Sequence, residues 1–208
     1  MMAFDDTALI DEIRRAHAAH TIILYGSYAR GDATDESDID VACFADVGDT
    51  SRDARVWHGA YLDGFVYPTR LATNPDLDML KLVGGRVLFD ERGLATPLLD
   101  QLADTDRRGP APLRADDRQM RRMWATKTLA RLRHDDLEAH YRRHQLMYEL
   151  FQDYFAYRGE WFRGAKLALA ELARSRPTTY ALFARALAPD ASLDDIRVVV
   201  EHAIDEQV

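Results

Sequence analysis

Two aspartates, Asp38 and Asp40, flank a single isoleucine in Ser37-Asp38-Ile39-Asp40-Val41. Side chains two residues apart on a strand share a face, so these carboxylates project together while Ile39 and Val41 face a core. Two carboxylates that close repel unless a cation lies between them. Hard oxygen donors of this kind suit Mg²⁺ or Mn²⁺, which fill the remaining shell with water and substrate phosphates. Just upstream, Gly26-Ser27 closes an apolar run, Thr21-Ile22-Ile23-Leu24-Tyr25, and opens a possible helical turn. Free backbone N–H groups there, with the Ser27 hydroxyl, would make a nest for an anion. An acid pair beside a phosphate-holding turn is the arrangement that phosphoryl or nucleotidyl transfer requires.

Those residues need strands and turns to position them. Apolar spacing predicts a helix over residues 5–20, and strands at 21–25, 39–44, 61–67 and 85–90. Residues 27–30 read as one helical turn, 51–58 as a short helix and 94–102 as a longer one. TDRRGPAPL at 105–113 reads as a junction rich in turn formers. Beyond it the periodicity is helical throughout, at 114–135, 137–157, 162–174, 178–187 and 192–206. The expected architecture is α+β. An N-terminal α/β domain with a small mixed sheet (1–106) is followed by a linker (107–113) and an all-α helical bundle (114–208).

The motif Gly26-Ser27-Tyr28-Ala29-Arg30-Gly31, followed by Ser37-Asp38-Ile39-Asp40-Val41, resembles the signature of the DNA polymerase beta nucleotidyltransferase superfamily. It is most similar to small bacterial members, among them the minimal, aminoglycoside and lincosamide nucleotidyltransferases. The resemblance implies that Gly26 and Ser27 bind a triphosphate, with Arg30 touching phosphate or pairing with Asp32 or Asp35. It implies that Asp38 and Asp40 hold Mg²⁺ or Mn²⁺. A third carboxylate is implied on a later strand, and Asp63 in Tyr61-Leu62-Asp63-Gly64-Phe65 is the best match. Asp63 would complete the catalytic and metal-binding set or act as general base; Asp46, Asp49 and Asp53 are weaker candidates. Lys166, after Gly164, is placed as the lysine that the helical domain of antibiotic nucleotidyltransferases extends to the triphosphate. Glu149 and Glu160 are alternative bases.

The resemblance thus implies transfer of a nucleoside monophosphate, AMP from ATP, to a hydroxyl of a small molecule such as an antibiotic, or of a protein. Pyrophosphate is released. A catalytically idle nucleotide-binding or antitoxin-like protein is the alternative. A further rival is a ribonuclease of the HEPN type, since Arg133 and His140 stand seven apart on what reads as one helix face.

Composition narrows the partners. A formal net charge of −8 over 208 residues argues against a nucleic-acid surface and suits a cationic acceptor such as an aminoglycoside. The resemblance implies a nucleoside triphosphate as the other partner, with a small-molecule acceptor ahead of a protein one. The arginine-rich stretch from Arg114 to Arg143 is read either as a solvated helix face or as a positive wall for an anion. His17 and His20 are read as solvated, and the aromatics Tyr148, Phe151, Tyr154, Phe155 and Tyr157 as core. No apolar run reaches the roughly 20 residues of a membrane helix. The acidic start MMAFDDTALIDEIRR has no signal-peptide pattern, and the single Cys43 reads as a buried thiol, so a cytoplasmic protein is expected. A homodimer is left open.

Overall fold

The computed structural model describes residues 5–204. It divides into two compact units, one ending at Arg108 and the other beginning at Gly109.

The first unit is built on a five-stranded mixed sheet in the order β3-β4-β2-β1-β5. Its strands are β1 (Thr21–Tyr25), β2 (Ile39–Ala45), β3 (Ser51–Trp57), β4 (Ala60–Pro68) and β5 (Arg86–Asp90). β2 and β4 run parallel, and the other pairs are antiparallel. All five residues of β1 are buried, because both faces of this central strand are covered. On one face Ile22 and Leu24 pack with Val41, Cys43 and the buried residues Leu9 and Ile13 of helix α1 (Asp6–His17). On the other face Ile23 and Tyr25 pack with Ala42, Phe44 and Tyr67. Met79 and Leu82 of a 3-10 segment (Leu77–Leu82) cover this second face, with Leu98 and Leu102 of helix α3 (Ala95–Arg108). Helix α1 begins at Asp5, whose side chain accepts from the Thr7 N–H at 2.9 Å, and ends at Ala18 in the left-handed region. Cys43 is buried, and burial pushes its thiol up to about 12, as an inert core thiol requires.

One element differs in kind from the sequence reading. Residues 51–57 form strand β3, not a helix. The turn His58-Gly59 has φ of 48° and 84°, the two left-handed residues of a tight hairpin, and it folds 51–57 back onto β4. As an edge strand β3 needs no apolar alternation, which is why its polar sequence hid it. The expected junction also starts later, since α3 continues through residues 107 and 108.

Asp90, the last residue of β5, fixes the entry to α3. Its carboxylate accepts from the Leu94 and Ala95 N–H groups at 3.1 and 2.9 Å and from Thr21 Oγ1 at 2.9 Å. Burial works to raise its pKa, but these donors prevail and hold it below the usual carboxylate value. A depressed carboxylate contributes stability that is present above its unfolded pKa of about 3.9 and is lost as pH falls through the folded value. Asp90→Ala is expected to destabilise the protein by roughly 1–2 kcal/mol at pH 7, with the gap to wild type closing in acid; urea unfolding at pH 7 and pH 3 measures both.

The second unit is all helical among the described residues. It comprises α4 (Ala115–Arg131), a 3-10 turn (Leu132–His134), α5 (Leu137–Tyr157), α6 (Ala165–Ser175), α7 (Pro177–Leu187) and α8 (Leu193–Ile204). Leu146, Leu150, Phe151, Tyr154 and Phe155 of α5 meet Leu172, Phe183 and Val199 in one core. Tyr148 departs from the expected aromatic core, being 70% exposed. The arginine-rich stretch is largely engaged within this unit. Arg121 pairs with Asp153 at 2.5 Å, Arg142 with Glu138 at 2.5 Å, and Arg143 donates to the Ala188 carbonyl at 3.0 Å.

Candidate functional site

The two acids best placed to act together are Asp40 and Asp63. In the parallel pairing of β2 with β4 they stand directly opposite each other. Asp40 is in line with Ala42 and Phe44, and Asp63 with Phe65 and Tyr67, so both carboxylates lie on the sheet face that α3 and the 3-10 segment cover. Both are near the ends where their strands begin, beyond the covered part of that face. Asp38 lies one residue ahead of β2 and is exposed. Gly64, whose place beside Asp63 breaks an apolar run, is explained by β3. A side chain at Gly64 would put its Cβ 3.1 Å from the Asp53 carbonyl oxygen.

Tyr25, the last residue of β1, pairs with Asp40, and the chain then turns into the five-residue helix α2 (Gly26–Arg30). Gly26 has φ +68°, and a Cβ there would overlap the Asp40 carboxylate, with Cγ only 2.8 Å away. The glycine therefore lets the turn lie against the acid. Ser27 is buried in the first turn of α2, which has no side-chain cap. Gly31, in the left-handed region, closes the helix by donating its N–H to the Ser27 carbonyl. Arg30 pairs with Asp32 at 3.2 Å, one of the two partners expected for it, and its charge still acts on Asp40.

The electrostatics centre on Asp40. Burial, then the Asp63 and Asp38 carboxylates, push it up to about 6, against the opposing pull of Arg30 and Lys81. Two cations on the same face were not singled out from sequence. Lys81, half-buried in the 3-10 segment, sits 3.2 Å from the centroid of the Phe65 ring, with the rings of Tyr25 and Tyr67 each at 5.8 Å. Burial lowers its pKa, while Asp78, Asp63 and Asp40 work to raise it. Arg52 of β3 grips Asp63 along the Nε–Nη2 edge of its guanidinium, with Nε donating to Oδ1 at 3.0 Å and Nη2 to Oδ1 and Oδ2 at 2.7 and 2.6 Å.

The donor set fits a hard divalent cation. It offers carboxylate oxygens on adjoining strands, a raised pKa that a cation would relieve, and a glycine that leaves room against one of them. The acids are neighbours rather than a converged cage, and no group of three or more His, Cys, Asp or Glu side chains is disposed to ligate an ion among the described residues.

The weaker candidates for a third carboxylate are engaged elsewhere or remote in register. Asp53 faces α1, bonded to His17 at 2.8 Å and Arg55 at 2.8 Å. Asp46 follows the far end of β2 and pairs with Arg92. His17 and His20 are thus not solvated: His20 is buried between the Thr21 and Thr69 hydroxyls. In the helical unit, Lys166 is exposed in the first turn of α6. Glu160 is committed to Arg176 at 2.5 and 2.8 Å, and Glu149 accepts from Gln145 at 3.0 Å. Arg133 and His140 do not share a helix. Asp135, left-handed at φ 50°, breaks the chain between them, and His140 bonds to Asp135 at 3.0 Å.

Residues 7–81 match the family model described as "Nucleotidyltransferase domain", a span that contains β1 to β4, the Gly26-Ser27 turn and all three acids. This part of the chain is therefore a nucleotidyltransferase domain of the polymerase beta-like superfamily. Among solved structures, the chain is similar to a nucleotidyltransferase-like protein from Exiguobacterium sibiricum 255-15, at 13% identity and TM-score 0.47, covering 96% of this chain and 74% of that one. No curated protein matches the chain.

Proposed function

We propose that the nucleotidyltransferase domain at residues 7–81 is catalytically competent, and that it moves a nucleoside monophosphate, AMP from ATP, onto a hydroxyl of a small molecule or of a protein. The observation that carries this reading is the cross-strand pair Asp40–Asp63 with Gly26 pressed against Asp40. A chain that only bound nucleotide would have no use for the cost of keeping Asp40 beside two like charges.

In this account Asp38, Asp40 and Asp63 hold Mg²⁺ or Mn²⁺, which when bound supplies Lewis-acid stabilisation of the phosphates and of the attacking oxygen. Gly26 allows the nucleotide's phosphates to approach the turn, and the Ser27 hydroxyl and N–H donate to them. Lys81 and Arg30 add positive charge around the same acids. The acceptor oxygen forms a bond to the α-phosphorus as the bond to the bridging oxygen breaks, and pyrophosphate departs. The acceptor's proton goes to an Asp63 carboxylate oxygen. Lys166 is proposed as the contribution of the helical unit to the triphosphate, on the resemblance alone.

Mg²⁺-dependent binding of a non-hydrolysable ATP analogue tests the reading. Wild type should bind with Mg²⁺ and lose roughly tenfold or more in affinity without it, and Asp38→Ala should weaken the Mg²⁺-dependent part by a similar factor. Binding indifferent to both changes would remove the metal-dependent account.

A further inference from the structure

The ion pair between Arg52 and Asp63 places a cation of the protein's own on a carboxylate that the proposed reaction needs for a metal. Three features of this pair bear on function. Its geometry is bidentate, with distances of 2.6–3.0 Å. Its partners differ in freedom, since the Arg52 side chain is 56% exposed whereas Asp63 is 19% exposed. While it holds Asp63, its guanidinium carbon also lies 5.0 Å from the centroid of the Phe65 ring, so the ring borders the arginine. Arg52 stands opposite Phe65 in the β3–β4 register and reaches diagonally to Asp63, so the long side chain can leave the acid without any change in the strand.

We propose that Arg52 is an exchangeable counterion of Asp63, which a divalent cation entering between Asp40 and Asp63 must displace. The inference rests on the metal-binding reading above. Arg52 neutralises one of two facing carboxylates while no cation bridges them, and it lowers the affinity of the site for metal by the strength of its own hold. Lys81 is the fixed counterpart. It is half-buried against Phe65 and acts on both acids through space, without a hydrogen bond to either among those observed.

Mn²⁺ alone, titrated into the full-length protein without nucleotide and followed by electron paramagnetic resonance, tests this. Arg52→Gln should bind Mn²⁺ roughly two- to fivefold more tightly than wild type, the factor that loss of one competing exposed ion pair allows. Arg52→Lys, which keeps the charge but not the fork, should fall between. Arg92→Gln removes the same charge from another bidentate pair, on Asp46 at the opposite end of β2, and should leave the affinity unchanged. Equal or weaker Mn²⁺ binding in Arg52→Gln overturns the exchange. So does an equal gain in Arg92→Gln, which would make the effect one of overall charge. If wild type binds Mn²⁺ and Asp63→Asn weakens that binding while Arg52→Gln does not tighten it, the exchange fails and the metal site stands. Wild type that binds no Mn²⁺ overturns both.

Discussion

Asp40→Asn should sharply reduce nucleotide transfer while making the metal-free protein more stable. The two effects come from one feature. Asp40 is the innermost acid of the site, lying against Gly26, opposite Asp63 and close to Asp38. Burial and those like charges work against its ionised form, so a neutral amide of the same shape relieves the fold. After discounting for partial solvent exposure, the gain is about 1 kcal/mol. The amide cannot neutralise a cation, and the lost electrostatic stabilisation should reduce turnover by a factor on the order of 10³. Chemical denaturation and a pyrophosphate-release assay on the same variant measure both. A variant that loses activity because it is misfolded would show the opposite stability change. A stabilised variant with wild-type turnover would remove Asp40 from the chemistry.

Gly26→Ala should cost both stability and activity. The residue is at φ +68°, where an L side chain costs about 1–2 kcal/mol, and its Cβ would in addition overlap the Asp40 carboxylate. Either the turn or the acid must move, so the total should be roughly 2–4 kcal/mol. Gly31 supplies the control. It is equally left-handed at φ +80°, but a Cβ there meets nothing within 4 Å. Gly31→Ala should therefore cost only the backbone strain of about 1–2 kcal/mol and leave the Asp40 carboxylate undisturbed. Equal costs at the two positions, read from equilibrium unfolding, would show that the overlap with Asp40 is relieved at no expense.

Much of this was legible in the sequence because the signals were local. Apolar runs marked β1 and β2, helical periodicity marked α1 and the second unit, and Gly-Ser followed by Asp-Ile-Asp marked the turn and the strand start that lie against each other as Gly26 and Asp40. What was hidden depends on pairing at a distance. Ser51-Arg52-Asp53-Ala54-Arg55-Val56-Trp57 carries no apolar alternation, and only the hairpin at His58-Gly59 makes it a strand. Once it is one, Arg52 and Asp53 point to opposite faces. Arg52 reaches Asp63, and Asp53 turns toward α1 and His17. Nothing in the spacing of Lys81 marks it, because a 3-10 segment carries it over Phe65 from the far side of the β4 turn. The seven-residue spacing of Arg133 and His140 failed for the converse reason: it presumed a continuous helix, and Asp135 interrupts it.

The central claim is that Asp40 and Asp63, with the Gly26 turn, carry out metal-dependent nucleotidyl transfer. Its most direct test is mass spectrometry of the purified protein incubated with ATP, Mg²⁺ and a panel of hydroxylated small molecules, with the protein itself also monitored as acceptor. The account predicts an adduct heavier by one nucleoside monophosphate, formed with stoichiometric pyrophosphate, sharply reduced in Asp40→Asn and absent without the divalent cation. An adduct that forms equally in Asp40→Asn, or without any divalent cation, would contradict it.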